Sequence, residues 1–391
     1  MIRPRSRRLS VLALLASTTL ALAHHRQTPP VLPLTSGGDT ALPRMPAAGR
    51  TTLALAIANG ADTAIQTLKP YKTPTLVTPI TASGDNRNPA VSSTGRVVAY
   101  DTDADPLGLG LPGRQIVVAK NGLLVAGPND ATGTSENPTV DLAGQRVAFE
   151  STGDLANTGN PGIRQVFLQQ PTGGVSQVST GSGVSKNAAL SASRGWIAFE
   201  STSDADTGVD TGIEQIWFGS VNGIPAVPLT HGLAPSTNPS FSAEGNILTF
   251  QSRADLADTQ ADMGVPQIFI YDTKTKTHAQ LTFHPAGCTD SGVTKVNRDW
   301  RVAFVCAGQP YFYMLREDVL YAVDAPDGTT SRILPELGKH FVVLSTTSDL
   351  LAGSGTTPGR RIYLVNLYKR EALAVPSTPA VWFPFRGIKP L

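Results

Sequence analysis

The stretch Asn88-Pro-Ala-Val-Ser-Ser-Thr-Gly-Arg-Val-Val-Ala-Tyr100 decides the fold, because its pattern returns about every fifty residues, a spacing typical of repeat architectures. Three further copies align with it without gaps: Asn137 to Phe149, Asn187 to Phe199 and Asn238 to Phe250. A fifth, degenerate copy ends at Phe304, and a sixth survives mainly as Phe341-Val-Val-Leu344. Such a repeat indicates one supersecondary unit that is stacked several times.

A second apolar run follows each copy at nearly constant distance. The runs are Gln115-Ile-Val-Val118, Gln165-Val-Phe-Leu168, Gln215-Ile-Trp-Phe218, Gln267-Ile-Phe-Ile270, Val319-Leu-Tyr-Ala322 and Arg361-Ile-Tyr-Leu364. β-Branched and aromatic residues between Gly, Pro, Asn and Asp are typical of strands separated by turns. Because one small sheet cannot bury both of its faces, the units must pack against one another.

The sequence therefore predicts an all-β protein, a β-propeller with six blades of four antiparallel strands. Seven blades are the alternative count, because residues 51–69 fit either a helix or part of a further blade. A stacked β-solenoid and an open array of sandwiches are the alternative architectures.

The repeat resembles that of TolB-like propellers, whose pattern is a Pro-x-apolar-Ser-x-x-Gly-x-x-apolar-Ala-Phe strand pair. Pro89 to Tyr100, Pro138 to Phe149 and Pro239 to Phe250 follow it almost throughout. The resemblance covers residues 75–375 and implies an exported six-bladed propeller. TolB itself adds an N-terminal α/β domain, for which residues 24–74 are too few. Because this fold serves many roles, the resemblance says little about function.

The first 23 residues are predicted to be a signal peptide. Four arginines precede an apolar run from Leu9 to Ala23, which is shorter than the roughly 20 residues of a membrane helix. Ala21-Leu22-Ala23 fits cleavage before His24. The mature chain is predicted to be periplasmic or secreted and to contain no membrane span.

Composition sets the other boundaries. Residues 24–50 are rich in Pro, Thr and Gly and are predicted to be disordered or extended, and residues 51–74 form a lead-in segment. The propeller is predicted over residues 75–375, with Thr75 to Thr81 pairing with the sixth repeat to complete the last blade. Residues 376–391 are predicted to pack on the propeller as an aromatic tail.

The charge excludes nucleic acid as an expected partner. Only 16% of residues are charged, and loss of residues 1–23 removes four arginines and no acid, which changes the formal charge from +2 to −2. Such a surface offers no basic patch for phosphates. The predicted partner is an envelope or extracellular protein or peptide, bound by a monomer.

The chain has two cysteines, Cys288 and Cys306, and both lie in the fifth repeat. In an oxidising compartment they are predicted to form a disulfide that closes a short loop. A metal site or a redox pair is the alternative.

Acidic residues recur in the loop between the two strands of each repeat. Alternating carboxylates near a glycine can surround calcium, which takes six to eight oxygen ligands. The candidate ligands are Asp204, Asp206 and Asp210 in one loop and Asp101, Asp103 and Asp105 in another. The alternative is that these residues only form turns. No other cofactor is predicted.

Asparagine recurs at positions 88, 137, 187 and 238, and glutamine recurs at positions 115, 165, 215 and 267. A site built once would not repeat its key residue in every unit. Both series are therefore predicted to have structural roles.

Signals for catalysis are few. The chain has no Gly-x-Ser-x-Gly elbow. His231, His278, His284 and His340 lack the spacing of metal ligands. The main functional prediction is therefore a non-enzymatic propeller that binds a protein or peptide, or serves as a scaffold, in the cell envelope.

Two alternatives remain open. One is a metal-dependent hydrolase or lyase with its site at the mouth of the propeller channel. The other is a carbohydrate-binding propeller that stacks sugars on Trp196, Trp217 or Trp300. Four or more carboxylate or asparagine side chains converging on the channel axis would favour the enzyme.

Overall fold

The computed structural model describes residues 31–33, 53–59, 62–68, 76–81, 84–129, 132–160, 162–191, 193–223, 225–256, 259, 261–296, 299–316, 318–322, 330–335, 341–346 and 361–366. Within these ranges every helix or strand element is a β-strand, and the strands form seven sheets, six with four strands and one with three. The all-β class is confirmed, whereas the count of six blades is not.

The sheets are numbered in chain order. Strand β1 (Val31–Pro33) precedes sheet 1, which consists of β2 (Leu53–Asn59), β3 (Asp62–Leu68) and β4 (Leu76–Thr81). Sheet 2 consists of β5 (Asn86–Val91), β6 (Val97–Thr102), β7 (Gln115–Lys120) and β8 (Leu123–Ala126). Sheet 3 consists of β9 (Ser135–Val140), β10 (Val147–Ser151), β11 (Gln165–Gln169) and β12 (Val175–Gln177).

The later sheets repeat this plan. Sheet 4 consists of β13 (Ser185–Leu190), β14 (Trp196–Ser203), β15 (Asp210–Ser220) and β16 (Val227–Pro228). Sheet 5 consists of β17 (Ser236–Phe241), β18 (Ile247–Ala254), β19 (Asp262–Asp272) and β20 (Thr277–Gln280). Sheet 6 consists of β21 (Cys288–Val296), β22 (Asp299–Cys306), β23 (Gln309–Met314) and β24 (Val319–Ala322). Sheet 7 consists of β25 (Thr330–Pro335), β26 (Phe341–Thr346), β27 (Arg361–Asn366) and β1.

In sheets 2 to 6 each strand pairs antiparallel with the next along the chain. The first strands of successive sheets, from β5 to β25, contact one another. This is the arrangement of a propeller, in which the first strand of each blade lies next to the central channel. The start of each first strand, the end of the second and the start of the third therefore meet at one mouth of that channel.

The hydrophobic core lies between successive sheets. Ile116 and Val118 of sheet 2 share one cluster with Phe149 and Phe167 of sheet 3. Equivalent clusters join sheets 1 and 2, 3 and 4, 4 and 5, and 5 and 6. Burial of one such large apolar side chain contributes about 1.5–3 kcal/mol. Packing between the sheets therefore holds the repeats together.

One glycine shows why the turn of the repeat requires this residue type. Gly144 lies between β9 and β10 with φ +72°, which non-glycine residues rarely adopt. A Cβ at this position would lie 2.6 Å from Cγ2 of Val97 in sheet 2. The glycine thus serves both the turn and the packing of sheet 3 against sheet 2.

The sequence left a helix and part of a further blade open for residues 51–69, and β2 and β3 in this segment form a sheet with β4, so its described residues are strands. One prediction about the N-terminal region needs correction. Thr75 to Thr81 was predicted to complete the last blade, but β4 pairs with β3 of its own sheet. The free edge of β27 is instead covered by β1, which pairs with it antiparallel from Val31 to Pro33.

No helix long and apolar enough to cross a membrane occurs in the described ranges. The predicted signal peptide, residues 1–23, and the predicted tail, residues 376–391, lie outside the described residues.

Candidate functional site

The first strand of each middle sheet starts with a bulge. Asn88, Asn137, Asn187 and Asn238 have φ between 50° and 55°, and Asp290 has φ 56° at the same place in sheet 6. The pairing register shifts beside each of them. Asparagine and aspartate tolerate this left-handed conformation better than most residues. This geometry agrees with the structural role predicted for the recurring asparagine.

A carboxylate at the end of the second strand ties each bulge to the next sheet. In sheet 2, Asp101 Oδ2 accepts hydrogen bonds from Asn88 Nδ2 at 2.8 Å and from the backbone N of Asn137, in sheet 3, at 3.0 Å. Asp101 is fully buried. Its charge therefore holds two neighbouring sheets together.

The same link recurs in the next two sheets. Glu150 Oε1 accepts from Asn137 Nδ2 and from the backbone N of Asn187 at 2.7 Å. Glu200 Oε1 accepts from Asn187 Nδ2 at 2.9 Å and from the backbone N of Asn238 at 2.7 Å. We call these side chains the polar ring: Asn88, Asp101, Asn137, Glu150, Asn187, Glu200 and Asn238.

Two asparagines of the polar ring touch directly. Asn137 Nδ2 donates to Asn187 Oδ1 at 3.1 Å. Because Nδ2 of Asn137 must face the Glu150 carboxylate, its Oδ1 points the other way. That Oδ1 is buried and finds no donor among the described residues.

A cation lies beside each buried carboxylate, between it and a second, more exposed one. Arg114 lies 2.6 Å from Asp101 and 3.1 Å from Asp85. Arg164 lies 2.9 Å from Glu150 and 3.2 Å from Glu136. Lys186 lies 3.8 Å from Glu200 and 3.3 Å from Glu214. The outer carboxylates and the cations Arg164 and Lys186 are half-buried, so they face the mouth of the channel.

The charges of sheets 3 and 4 are reversed relative to each other. Glu136 on the first strand of sheet 3 corresponds to Lys186 in sheet 4, and Arg164 before the third strand corresponds to Glu214. Each sheet thereby keeps one cation between two acids. The acid and the cation can therefore exchange places between the two mouth positions, and the ion pair between them is kept.

Burial sets the electrostatics of Glu200. Loss of solvent raises the pKa of this carboxyl above its ordinary value, although Asn238 N–H, Asn187 and the charge of Lys186 act in the opposite direction. In contrast, the hydrogen bond with Glu150 and the charge of Glu136 raise the pKa of Arg164 despite its burial. Arg164 is therefore a fixed positive charge at the mouth.

Sheets 5 and 6 lack these charges. Gln251 stands where sheet 4 has Glu200, and its Oε1 accepts from the backbone N of Asp290 at 3.2 Å. Sheet 6 has Val305 at this position and Gly308 where sheet 3 has Arg164. The set of a buried acid, a cation and an outer acid thus occurs in sheets 2, 3 and 4 of the described structure, whereas sheet 6 contributes the carboxylate of Asp290 at the position of the asparagines.

In sheets 3, 4 and 5 the recurring glutamine makes the same contacts at one end of the sheet. In sheet 5, Gln267 Nε2 donates to the His284 backbone oxygen at 2.7 Å, and Thr282 Oγ1 donates to Gln267 Oε1 at 2.8 Å. Gln165 and Gln215 make equivalent bonds. These contacts hold the connection to the following sheet and agree with the predicted structural role.

The three aspartates of the first predicted calcium loop have different partners in the fold. Asp101 belongs to the polar ring, whereas Asp103 Oδ1 accepts from the Asp85 N–H at 2.7 Å. Asp105 accepts from the N–H groups of Leu109 and Gly110, both at 2.7 Å, and these bonds lower its pKa. These contacts are turn chemistry.

The second loop has similar contacts. Asp204 Oδ1 accepts from the N–H groups of Asp206 and Thr207, and the bonds to Thr207 lower its pKa. Asp210 Oδ1 accepts from Gly212 N–H at 3.0 Å. In the described part of the chain no three His, Cys, Asp or Glu side chains lie together as metal ligands. Calcium binding at Asp204, Asp206, Asp210, Asp101, Asp103 and Asp105 remains a prediction.

The disulfide prediction is confirmed: Cys288 and Cys306 are bonded. They lie opposite each other on β21 and β22. Both cysteines are buried, so the disulfide lies in the interior and joins β21 to β22 there.

Two of the candidate sugar-stacking residues belong to the packed interior. Trp217 is buried in the cluster between sheets 3 and 4, and Trp196 packs against Phe218. Trp300 lies against the core of sheets 5 and 6, with Lys295 Nζ 4.8 Å from its ring centre.

The sequence singled out the asparagines of the mouth as structural residues, but among its charged residues it singled out only Asp101. The signal was present: an acid directly follows the aromatic residue of three copies, at Asp101, Glu150 and Glu200. Arg114 and Arg164 each directly precede the recurring glutamine. Only the fold shows that these positions meet at one end of the strands.

Comparisons with known proteins identify the fold. No protein-family model matches the chain, and no curated protein matches it. Among solved structures, an oligogalacturonate lyase in complex with manganese is 12% identical with a TM-score of 0.58, covering 87% of this chain and 93% of that one. An oligogalacturonate lyase from Vibrio parahaemolyticus is 10% identical with a TM-score of 0.57, covering 87% and 94%. TolB from Acinetobacter baumannii is 15% identical, but with a TM-score of 0.38 over 69% and 61%.

At these identities the lyase structures show the fold alone. The predicted TolB-like β-propeller is confirmed at that level. The main functional prediction, a non-enzymatic binding or scaffolding propeller, is overturned, because the similar solved structures are enzymes.

Proposed function

We propose that the chain is an exported lyase or hydrolase that acts on an anionic oligosaccharide at the mouth formed by sheets 2, 3 and 4. The observation that carries this proposal is the polar ring with its flanking charges. Seven asparagine and carboxylate side chains of four sheets are linked there by hydrogen bonds and hold the flanking charges in place. The likeness to oligogalacturonate lyases supports the substrate class.

The mouth offers two kinds of group that such chemistry needs. Arg164 and Lys186 are half-buried cations that could pair with a substrate carboxylate. Glu136 and Glu214 are half-buried carboxylates that could take or give a proton. The carboxylates of Asp101, Glu150 and Glu200 already interact with backbone N–H groups and with the cations, so their role is to position the sheets and the cations.

In a lyase reaction, Glu136 or Glu214 would take the proton from the sugar carbon next to the carboxylate. The electron pair of that C–H bond would form a C=C bond, and the glycosidic C–O bond would break with the leaving oxygen taking a proton. A cation at the carboxylate favours this step, because negative charge builds up there in the transition state. In a hydrolase the two carboxylates would act on water and on the leaving oxygen.

The described residues do not fit a manganese centre. They include no group of three or more His, Cys, Asp or Glu side chains suited to a metal. The inner oxygens of the polar ring are occupied by N–H donors and by Arg or Lys. We therefore assign no step to a metal ion.

The test is product analysis with the purified exported chain and oligogalacturonate, with the neutral galactose oligomer of equal length as control. A lyase produces an unsaturated, ultraviolet-absorbing sugar, whereas a hydrolase produces new reducing ends without that absorbance. Glu136→Gln and Glu214→Gln should reduce turnover by about 100-fold for the residue that transfers the proton. Manganese and calcium are added in parallel.

The outcomes separate the candidate functions. Product formation that depends on Glu136 or Glu214 supports the proposal. Binding without any product, with or without metal, would indicate a carbohydrate-binding propeller. Absence of both binding and product for anionic oligosaccharides would refute the proposed substrate class.

A further inference from the structure

Arg114 and Arg164 occupy equivalent positions in sheets 2 and 3 but use their donors differently. Nε, Nη1 and Nη2 of Arg114 all donate, to Asp85 and Asp101. Its side chain is 15% exposed. Arg114 is therefore fully engaged in holding sheet 2 together.

Arg164 keeps one edge free. Only its Nη1 donates to side chains, to Glu150 Oε2 at 2.9 Å and Glu136 Oε2 at 3.2 Å. Nε and Nη2 have no acceptor within the described part of the chain, and the side chain is 33% exposed. The Nε–Nη2 edge of a guanidinium has the geometry that binds a carboxylate through two parallel hydrogen bonds.

An unpaired acceptor lies nearby. Asn137 Nδ2 and Arg164 Nη1 bind the two oxygens of the same Glu150 carboxylate. Asn137 Oδ1 points away from Glu150, is buried, and has no donor among the described residues. A buried acceptor without a partner is costly, so a hydroxyl that reached it would gain a hydrogen bond.

We infer that Arg164 binds the carboxylate of a uronic acid unit through its Nε–Nη2 edge and that Asn137 Oδ1 accepts a hydroxyl of the same sugar. This subsite rests on the proposed function and names the group that selects an acidic substrate over a neutral one. Arg164 is a specificity residue here, and no proton transfer is assigned to it.

Glu136 works against this binding. It shares Nη1 of Arg164 and places a half-buried negative charge next to the incoming carboxylate. Removal of this charge should tighten the binding of an acidic sugar. The structure therefore predicts opposite effects for two adjacent residues.

The experiment measures the affinity of the full exported chain for trigalacturonate and for its methyl ester, by calorimetry at low ionic strength. Arg164→Lys keeps the charge beside Glu150 but removes the fork, and should weaken trigalacturonate binding by about 10- to 100-fold. The same substitution should leave the affinity for the methyl ester unchanged. Glu136→Gln should tighten trigalacturonate binding several-fold.

Arg114→Lys is the matched control, because Arg114 has no free edge. It should leave the affinity for trigalacturonate unchanged. Cyclohexanecarboxylate, which has the charge but no hydroxyl, should bind more weakly than galacturonate if Asn137 accepts a hydroxyl.

Two results would overturn the inference: unchanged trigalacturonate binding in Arg164→Lys, or an equal loss for the ester. If Arg164→Lys does not fold, Glu136→Gln decides, and no gain in affinity rejects the subsite. Arg164-dependent binding without turnover would refute the proposed reaction but keep the subsite. Turnover with an affinity that does not depend on Arg164 would support the proposed reaction and refute the subsite.

Discussion

Sheets 3 and 6 join the same pair of strand positions by different chemistry. In sheet 3, Ser135 and Ser151 lie opposite each other and their hydroxyls are hydrogen-bonded at 3.1 Å. In sheet 6, the equivalent pair is the Cys288–Cys306 disulfide. Sheets 4 and 5 follow sheet 3, each with a serine pair at 2.9 Å. The covalent bond thus replaces one hydrogen bond of the repeat.

The residue before this pair also differs between sheets 3 and 6. In sheet 3, Glu150 precedes Ser151 and binds Asn137, Asn187 and Arg164. In sheet 6, Val305 stands there and offers no acceptor. A sheet whose second strand ends in an ionic network is tied to its neighbour by that network. Sheet 6 lacks it, and the disulfide fixes its first two strands instead.

The largest expected effect comes from placing the valine of sheet 6, Val305, at the equivalent position of sheet 3, Glu150. Glu150→Val would leave Asn137 Nδ2, Asn187 N–H and Arg164 without their buried acceptor. Removal of one partner of such a network costs about 3–5 kcal/mol. Denaturant unfolding of the variant and the parent chain measures this loss.

Glu150→Gln is the control, because it copies Gln251 of sheet 5 and keeps an acceptor oxygen. Its loss should be clearly smaller than that of Glu150→Val. Equal losses would show that the charge, and not the acceptor, ties the two sheets.

The next effect tests the disulfide. Cys288→Ser together with Cys306→Ser would copy the serine pairs of sheets 3 to 5. Because the closed loop is short, loss of the bond should lower the free energy of unfolding by about 3 kcal/mol. Unfolding of the oxidised parent, the reduced parent and the double variant gives the comparison. A double variant as stable as the oxidised parent would mean that the serine pair suffices.

The reverse exchange sharpens the comparison. Ser135→Cys together with Ser151→Cys should form a disulfide on oxidation, because the two residues oppose each other as Cys288 and Cys306 do. The gain should be about 2 kcal/mol, since one hydrogen bond is lost in exchange. Thiol titration and unfolding with and without reductant measure it. A bond that forms without any gain would show that sheet 3 is already constrained.

The smallest effect concerns pH. Burial raises the pKa of Glu200 in the folded chain above its ordinary value of 4.5, so the folded state holds this proton more tightly than the unfolded state. Its contribution to stability is therefore fully present below that ordinary value and is lost as the pH rises through the raised pKa.

Glu200→Gln does not titrate and cannot show this loss. The stability of the variant relative to the parent should therefore increase as the pH rises from below 4.5 through the raised pKa of Glu200. Unfolding midpoints across this range measure it, with Glu214→Gln as a control of equal charge change. A constant difference would contradict the raised pKa.

The sequence predicted the middle of the propeller well, because its copies share a strong local pattern. Alternating apolar residues, an aromatic residue and a turn glycine occur at fixed spacing in sheets 2 to 5. Sheet 1 lacks the Asn-Pro start and the recurring glycine, so the sequence left a helix and part of a further blade open for residues 51–69. Its hairpin signal was weak but present, since Asn59-Gly60 separates two apolar stretches.

The candidate site was less predictable. The recurring asparagines were assigned a structural role, but their partners Glu150 and Glu200 lie in other parts of the repeat. Contacts such as Asn187 N–H with Glu150 join residues of different sheets. Local patterns do not specify such distances, and the opposite charges of sheets 3 and 4 conceal the equivalence of Arg164 and Glu214.

The pairing of β1 with β27 joins the first and the last strand of the described residues. Contacts between residues so far apart in sequence form slowly. If the chain crosses a membrane from its N-terminus, β1 must wait until almost every other residue has arrived. A truncated or stalled chain would therefore expose the edges of both strands, and exposed edges invite aggregation. An unfinished molecule therefore differs from a finished one in having these two strand edges exposed.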